Sequence, residues 1–264
     1  MRLAPALALV VLGFGAFGST PAASMTRAEL APQATQPAWC APELDALPSA
    51  PGMADICHIQ GTPSADGRRT LVIFLHGVIA KNTTWQWLQE RGIARSAKQL
   101  HFEVIAPQGS PVGVNGSGGF AWPGGGGGSG ESTEQQLLDG WKAARATLEA
   151  RNGRPFDEVF VVGFSSGAYF ASSLALRSKL DVQGYVVLAG GAARHTPSEG
   201  TRRVPVFVGV SAADRQTAPG ARALGSVLAS QRWPSRIDEQ PVGHMVSDVH
   251  MAHALGWLRG LATR

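Results

Sequence analysis

Cysteine is scarce in this chain: Cys40 and Cys57 are the only two among 264 residues. A metal pair or a reactive thiol would want further His or Cys ligands at useful spacing, and neither cysteine has them. Blocks of like charge are missing as well. The net charge of +4 is spread over single Arg and Lys residues, and nothing here tracks a phosphate backbone, so nucleic acid is not an expected partner. The length allows one α/β domain with a well-buried core, and is too short for two.

The N-terminus has a pattern of its own. Met1 and Arg2 precede an apolar run from Leu3 to Phe17, and small residues follow from Ser19 to Ser24. A short basic start, a Gly/Pro-interrupted apolar stretch and a plausible cut at Ala22, Ala23 and Ser24 describe a secretory leader over 1–24. An uncleaved anchor is the alternative. No cysteine lies near the cut, so a lipid anchor and a stable membrane attachment are not expected, and the location implied is secreted or periplasmic. In an exported chain, Cys40 and Cys57 read as a disulfide, worth about 3 kcal/mol in the chain-entropy model.

Residues 25–66 are rich in Pro, Ala, Ser and Gly and show neither periodicity, which predicts an extended N-terminal arm held by that bridge. From residue 67 to 264 the pattern changes to alternating strands and helices. Strands are expected over Arg69–Leu75, Phe102–Ala106, Asp157–Val162, Gly184–Leu188, Val204–Val210 and Arg236–Gln240. Helices are expected over Thr83–Leu100, with an interruption at Gly92, and over Glu131–Ala150, Ala218–Gln231 and Val246–Leu261. The fold class predicted is α/β: a mostly parallel central sheet with helices on both faces, and no large cap domain, because the connection before Val204 is short. A Gly-rich stretch over 110–130 is expected as a long loop, either an adaptable lid or a connector.

The chemistry centres on Gly163-Phe164-Ser165-Ser166-Gly167. An apolar strand runs into this segment and a helix leaves it, the setting in which G-x-S-x-G forms a sharp turn that lifts the serine hydroxyl clear of the sheet. Ser165 is the candidate nucleophile, and the Ser166 amide at the new helix's N-terminus a candidate oxyanion donor. A serine needs a base, and the base an orienting anion. Asp214, just past the second strand after Ser165, is the candidate acid, ahead of Asp181, Asp238 and Asp248. His244, between the last strand and the last helix, is the candidate base. His250 and His253 lie inside that helix and are expected to be surface or structural residues rather than metal ligands. No chemistry falls to His58, His101 or His195. The Val78 amide, in the turn His76-Gly77-Val78, is the second candidate oxyanion donor, and His76 is expected to hold that turn. Phe120 and Trp122 are candidates for lining a substrate pocket, or for simple packing beneath the loop.

These segments in this order resemble the α/β-hydrolase superfamily, and within it the phospholipase/carboxylesterase group and the secreted feruloyl-esterase and polyhydroxybutyrate-depolymerase-like enzymes. The likeness rests on Leu75 to Val78, on Ala106 to Gly109 followed by Pro111, Val112 and Asn115, on Ala121-Trp122, on the serine motif, on Asp214 and on Gly243-His244. It implies a triad of Ser165, Asp214 and His244, an oxyanion hole at Val78 and Ser166, and hydrolysis of a small-molecule or polymeric ester without cofactor or metal. Two departures stand out: Pro123 and a glycine run replace an acidic segment that often follows the tryptophan, and Ser166 stands where glutamine is common. A serine peptidase of the same fold, or a catalytically silent binding protein, are the rival readings.

Overall fold

The computed structural model describes residues 37–47, 55–112, 118–124, 129–197 and 200–262. The proposed leader over 1–24, Asn115 and parts of the Gly-rich stretch lie outside them. The main sheet has eight strands in the order β1-β2-β5-β3-β8-β9-β10-β11. They are β1 (Asp45–Leu47), β2 (Ile56–Ile59), β3 (Thr70–Leu75), β5 (Glu103–Pro107), β8 (Glu158–Phe164), β9 (Gly184–Leu188), β10 (Val206–Ser211) and β11 (Ser235–Gln240). From β5 to β11 all neighbours are parallel. The central strands β3, β8, β9 and β10 are buried along their whole length, as expected where helices cover both faces and no alternation with polar residues is tolerated. Two apolar clusters flank this sheet. One gathers Leu138, Trp141, Phe170, Leu174 and Leu224, from the helices α2 (Ser129–Asn152), α3 (Ser166–Leu176) and α4 (Ala218–Ser230). The other gathers Ile93, Ala97, Met251, Leu255 and Leu258, from α1 (Trp85–Leu100) and α5 (Asp248–Ala262).

Two stretches depart from the sequence expectation. The N-terminal arm is not merely extended: β2 pairs antiparallel with β5, matching Ile56 to Pro107 and Ile59 to Val104, and β1 pairs with β2. With three and four residues, neither strand is long enough to show a period of two, and their order comes from backbone pairing with an existing edge. The second departure is the Gly-rich stretch, parts of which form sheet. β6 (Ser110–Val112), β7 (Gly119–Ala121) and β4 (Ile79–Ala80) make a separate three-stranded antiparallel sheet, with Ile79 opposite Phe120. At Gly119 an added Cβ would lie 2.3 Å from the Ile79 carbonyl oxygen, so glycine permits the pairing instead of marking a loop.

Gly92 does not interrupt α1 either. It faces Val246, whose Cβ would stand 3.3 Å from an added methyl, and the bare backbone lets α1 pack close to the segment that carries His244. The arm is fastened to α1 by side chains as well as by the Cys40–Cys57 disulfide. Gln86 and Trp87 donate to the Trp39 carbonyl, and the buried carboxylate of Glu90 accepts the Ala41 N–H at 2.8 Å.

Candidate active site

β8 runs straight into α3, and Ser165 takes the bend between them at φ 53°, ψ −115°. A side chain pays for positive φ in steric crowding, so the turn persists only because its surroundings hold it. Two contacts do so. A Cβ on Gly163 would sit 2.2 Å from the Gly167 carbonyl oxygen, and one on Gly167 would sit 2.0 Å from that of Leu75. Strand, bend and helix are therefore closer than any side chain at either position allows. The Gly167 N–H donates to the His76 carbonyl at 3.0 Å, which fixes the serine bend against the turn that leaves β3.

That turn is braced from three sides. The buried His76 imidazole receives the Gly109 N–H on Nε2 at 2.9 Å, so its proton must sit on Nδ1, which donates to the Gly77 carbonyl. Burial pushes His76 down to about 4, the bond to Gly77 opposing it. With both ring nitrogens engaged and the ring neutral, His76 holds the turn, as expected from the sequence. Trp122 donates its indole N–H to the His76 carbonyl at 2.7 Å and stacks on Phe170. The Gln89 carboxamide accepts the Gly77 N–H at 2.7 Å. Among the described residues, the N–H groups of Val78 and Ser166 donate to none of the backbone hydrogen bonds of these turns.

Asp214 and His244 arrive from the far side of the sheet. His244 Nε2 lies 3.0 Å from Ser165 Oγ, and its Nδ1 lies 2.6 Å from Asp214 Oδ2. A carboxylate only accepts, so Nδ1 carries the proton and Nε2 is left with a lone pair facing the serine hydroxyl. Asp214 is itself well anchored. Burial works to raise its pKa, but the Thr217 hydroxyl, His244 and the Gln216 and Thr217 amides donate to it and hold it below the ordinary carboxylate range. Thr217 has no sequence signature pointing to it; only its place three residues past Asp214, at the cap of α4, explains the contact.

A model of the phospholipase/carboxylesterase family matches residues 62–214, more than half of the chain. The chain belongs to this family. The match carries the activity class with it: the protein is a serine ester hydrolase of the α/β-hydrolase fold. It ends at Asp214, leaving His244 beyond the matched span. Solved structures with the same fold include a carboxylesterase from Mesorhizobium loti, 20% identical, covering 81% of this chain and 98% of that one at a TM-score of 0.56. A carboxylesterase from Bacillus cereus is 15% identical over 80% and 95% of the two chains, at 0.54. An α/β serine hydrolase without lid from Xanthomonas campestris is 19% identical over 83% and 94%, at 0.51. No curated protein matches the chain.

In this family member Ser165 and His244 open onto a cleft of about 520 Å³, lined also by Val78, Trp85, Leu88 and Met245. Neither Phe120 nor Trp122 is among its walls. Trp122 is buried in the core, and Phe120 packs edge-on against Trp39. The walls of the cleft come instead from α1 and the segment after β11. Trp85 and Leu88 are one helical turn apart on α1, and both are exposed. The remaining histidines stand apart from Ser165. His253 pairs with Asp238 at 2.9 Å, the fully buried His250 lies 3.9 Å from the same carboxylate, and His58 pairs with Glu103. Among the described residues no group of three or more His, Cys, Asp or Glu side chains is arranged to hold a metal ion.

Proposed function

We propose that this protein hydrolyses carboxylic esters through an acyl-enzyme on Ser165, with His244 as general base and then acid and Asp214 as the orienting anion. The observation that carries the reading is the imidazole of His244 bonded at once to Asp214 and to the Ser165 hydroxyl. His244 takes the hydroxyl proton as Oγ attacks the ester carbonyl. The Val78 and Ser166 N–H groups, uncommitted in the surrounding turns, receive the negative charge that develops on the carbonyl oxygen. His244 returns the proton to the leaving alcohol, water attacks the acyl-enzyme by the same route, and the acid is released. His76 contributes position only, since its neutral ring has both nitrogens occupied.

The basic, apolar and small residues in succession over 1–24, together with the Cys40–Cys57 bridge, support an exported protein. No helix among the described residues is long and apolar enough to cross a membrane. The test is covalent. A fluorophosphonate probe is expected to label the wild type and not Ser165→Ala, and a series of 4-nitrophenyl esters to be hydrolysed only by the labelled protein. Labelling that survives in Ser165→Ala, or hydrolysis without it, rejects the assignment.

A further inference from the structure

Seven large apolar side chains are exposed among the described residues, and four of them, Val78, Trp85, Leu88 and Met245, line the cleft beside Ser165. Exposed apolar surface gathered at one place marks a binding face more than chance does. Within that lining there is one permanently charged side chain, Arg95, and no carboxylate. Along α1 the cleft wall is built from Gln89, Gly92 and Arg95, one helical turn after another. Gln89 is tied to the turn beside the nucleophile, so Arg95 lies roughly 9 Å further along the helix axis.

Arg95 is held by a single edge. Its Nε donates to Asp248 Oδ2 at 2.6 Å, while Ser96 donates to Asp248 Oδ1 at 2.6 Å. Asp248 opens α5, where a negative charge is also favoured by the helix dipole. Its charge is thus met by three partners, and among the described residues Arg95 commits no nitrogen other than Nε. Two terminal nitrogens of a guanidinium, fixed at the edge of an apolar cleft, are suited to a carboxylate taken end-on.

We infer that Arg95 is a specificity-determining residue, and that the preferred substrates are esters carrying an anionic group, a carboxylate foremost, at the end of an apolar chain. The chain lies against Trp85, Leu88 and Met245, and the anion meets the guanidinium. The inference rests on the assignment of Ser165 as nucleophile, which neutral esters test separately. The anion can sit on either side of the scissile bond, so two substrate series are needed. In one, 4-nitrophenyl hemiesters of glutaric, adipic and suberic acids are set against neutral 4-nitrophenyl esters of equal chain length. In the other, hexanoate esters of 6-hydroxyhexanoic acid and of 1-hexanol, each with a single scissile ester, are followed by titration of released acid.

In at least one series the wild type is expected to favour the anionic member in kcat/KM by about tenfold or more, the scale of a charge-assisted contact. Arg95→Gln brings that ratio close to one, Arg95→Lys retains part of it, and added salt lowers it in the wild type alone. Asp248→Asn, which cuts the tie and keeps the cation, preserves or raises it. A residue that merely joins α1 to α5 would give equal losses on both members and the same result for both Arg95→Gln and Asp248→Asn. Hydrolysis of neutral esters with no anionic preference in either series, or a preference untouched by Arg95→Gln, overturns the inference while leaving Ser165 in its role. Absence of hydrolysis and of probe labelling overturns both.

Discussion

Two histidine–aspartate pairs lie on neighbouring parts of this molecule at nearly the same distance, and only one of the two histidines also faces a serine hydroxyl. His244 and Asp214 are 2.6 Å apart, His253 and Asp238 2.9 Å. Both histidines are 44% exposed and both carboxylates mostly buried. What separates them is the far side of the ring. His244 presents Nε2 to Ser165 on a strained bend, whereas His253 sits within α5 with its second nitrogen given no such partner. Close pairing alone orients an imidazole; it becomes a base only where backbone geometry delivers a hydroxyl to the opposite nitrogen.

The widest gap between the pairs is expected from removing the groups around Ser165. Ser165→Ala or His244→Ala should lower kcat by about 10⁴-fold or more, while His253→Ala stays within about threefold. Steady-state kinetics on a 4-nitrophenyl ester reads both, and comparable losses from His253→Ala would erase the distinction. The aspartates extend the contrast. Asp214→Asn is expected to cost about 10³–10⁴-fold in kcat, because an amide no longer fixes the proton on Nδ1, and Asp238→Asn less than about threefold.

The strand–bend–helix unit and the order Ser165, Asp214, His244 are legible in the sequence because each rests on a local rule. An apolar run, two glycines and a following helix specify the bend, and strand ends specify where an acid and a base emerge. The sheet's parallel core is legible for the same reason, since its strands are apolar on both faces. What escaped is whatever depends on contacts distant in sequence. β1 and β2 are too short to carry a pattern, and Gly119 signals a loop by its type and a strand by its surroundings. The residue type of Trp122 suits a pocket wall and a core equally, and only its contacts with His76 and Phe170 show where it packs. Trp85 and Leu88 sit on a helix whose rough apolar spacing does not by itself say which side chains face solvent, and they form the rim of the cleft.

A third carboxylate sharpens the comparison by behaving in the opposite sense. Glu90 is buried beside the Cys40 segment, and desolvation raises it to about 7 despite the Ala41 N–H. An acid whose folded pKa lies above its unfolded one binds more protons when folded, so its contribution falls as pH rises from about 4.5 to about 7 and is flat beyond. Glu90→Gln, which keeps an oxygen for Ala41, should therefore stabilise the protein at pH 8 by up to about 3 kcal/mol and change little at pH 4.5. Urea unfolding at the two pH values checks this; equal effects at both would show that Glu90 ionises freely in the fold.

Next in size is Thr217, whose hydroxyl and amide both reach Asp214. Thr217→Val removes one donor from a carboxylate that keeps His244 and two amides, and an expected loss of about tenfold in kcat reflects one charge-assisted hydrogen bond. KM should move little, because Thr217 lines no part of the cleft. A KM effect without a kcat effect would show that Thr217 acts on substrate instead of on Asp214.

The smallest effect belongs to Asp238, and it isolates what a pair contributes without a third partner. Burial works to raise its pKa, but hydrogen bonds from His253 and Gln240 and the nearby histidines hold it below the usual carboxylate range. A folded pKa below the unfolded one means the unfolded chain binds the extra proton as pH falls. The stabilisation is thus fully present above the unfolded value near 4 and is lost as pH drops through the lower folded value. Because His253 is exposed, the gain is at most about 1 kcal/mol. Asp238→Asn should accordingly lower stability by that amount at pH 5, and by nothing measurable once the wild-type carboxylate is protonated. An equal cost at both would mean that packing against the buried His250 ring, and not the charge, is what Asp238 supplies.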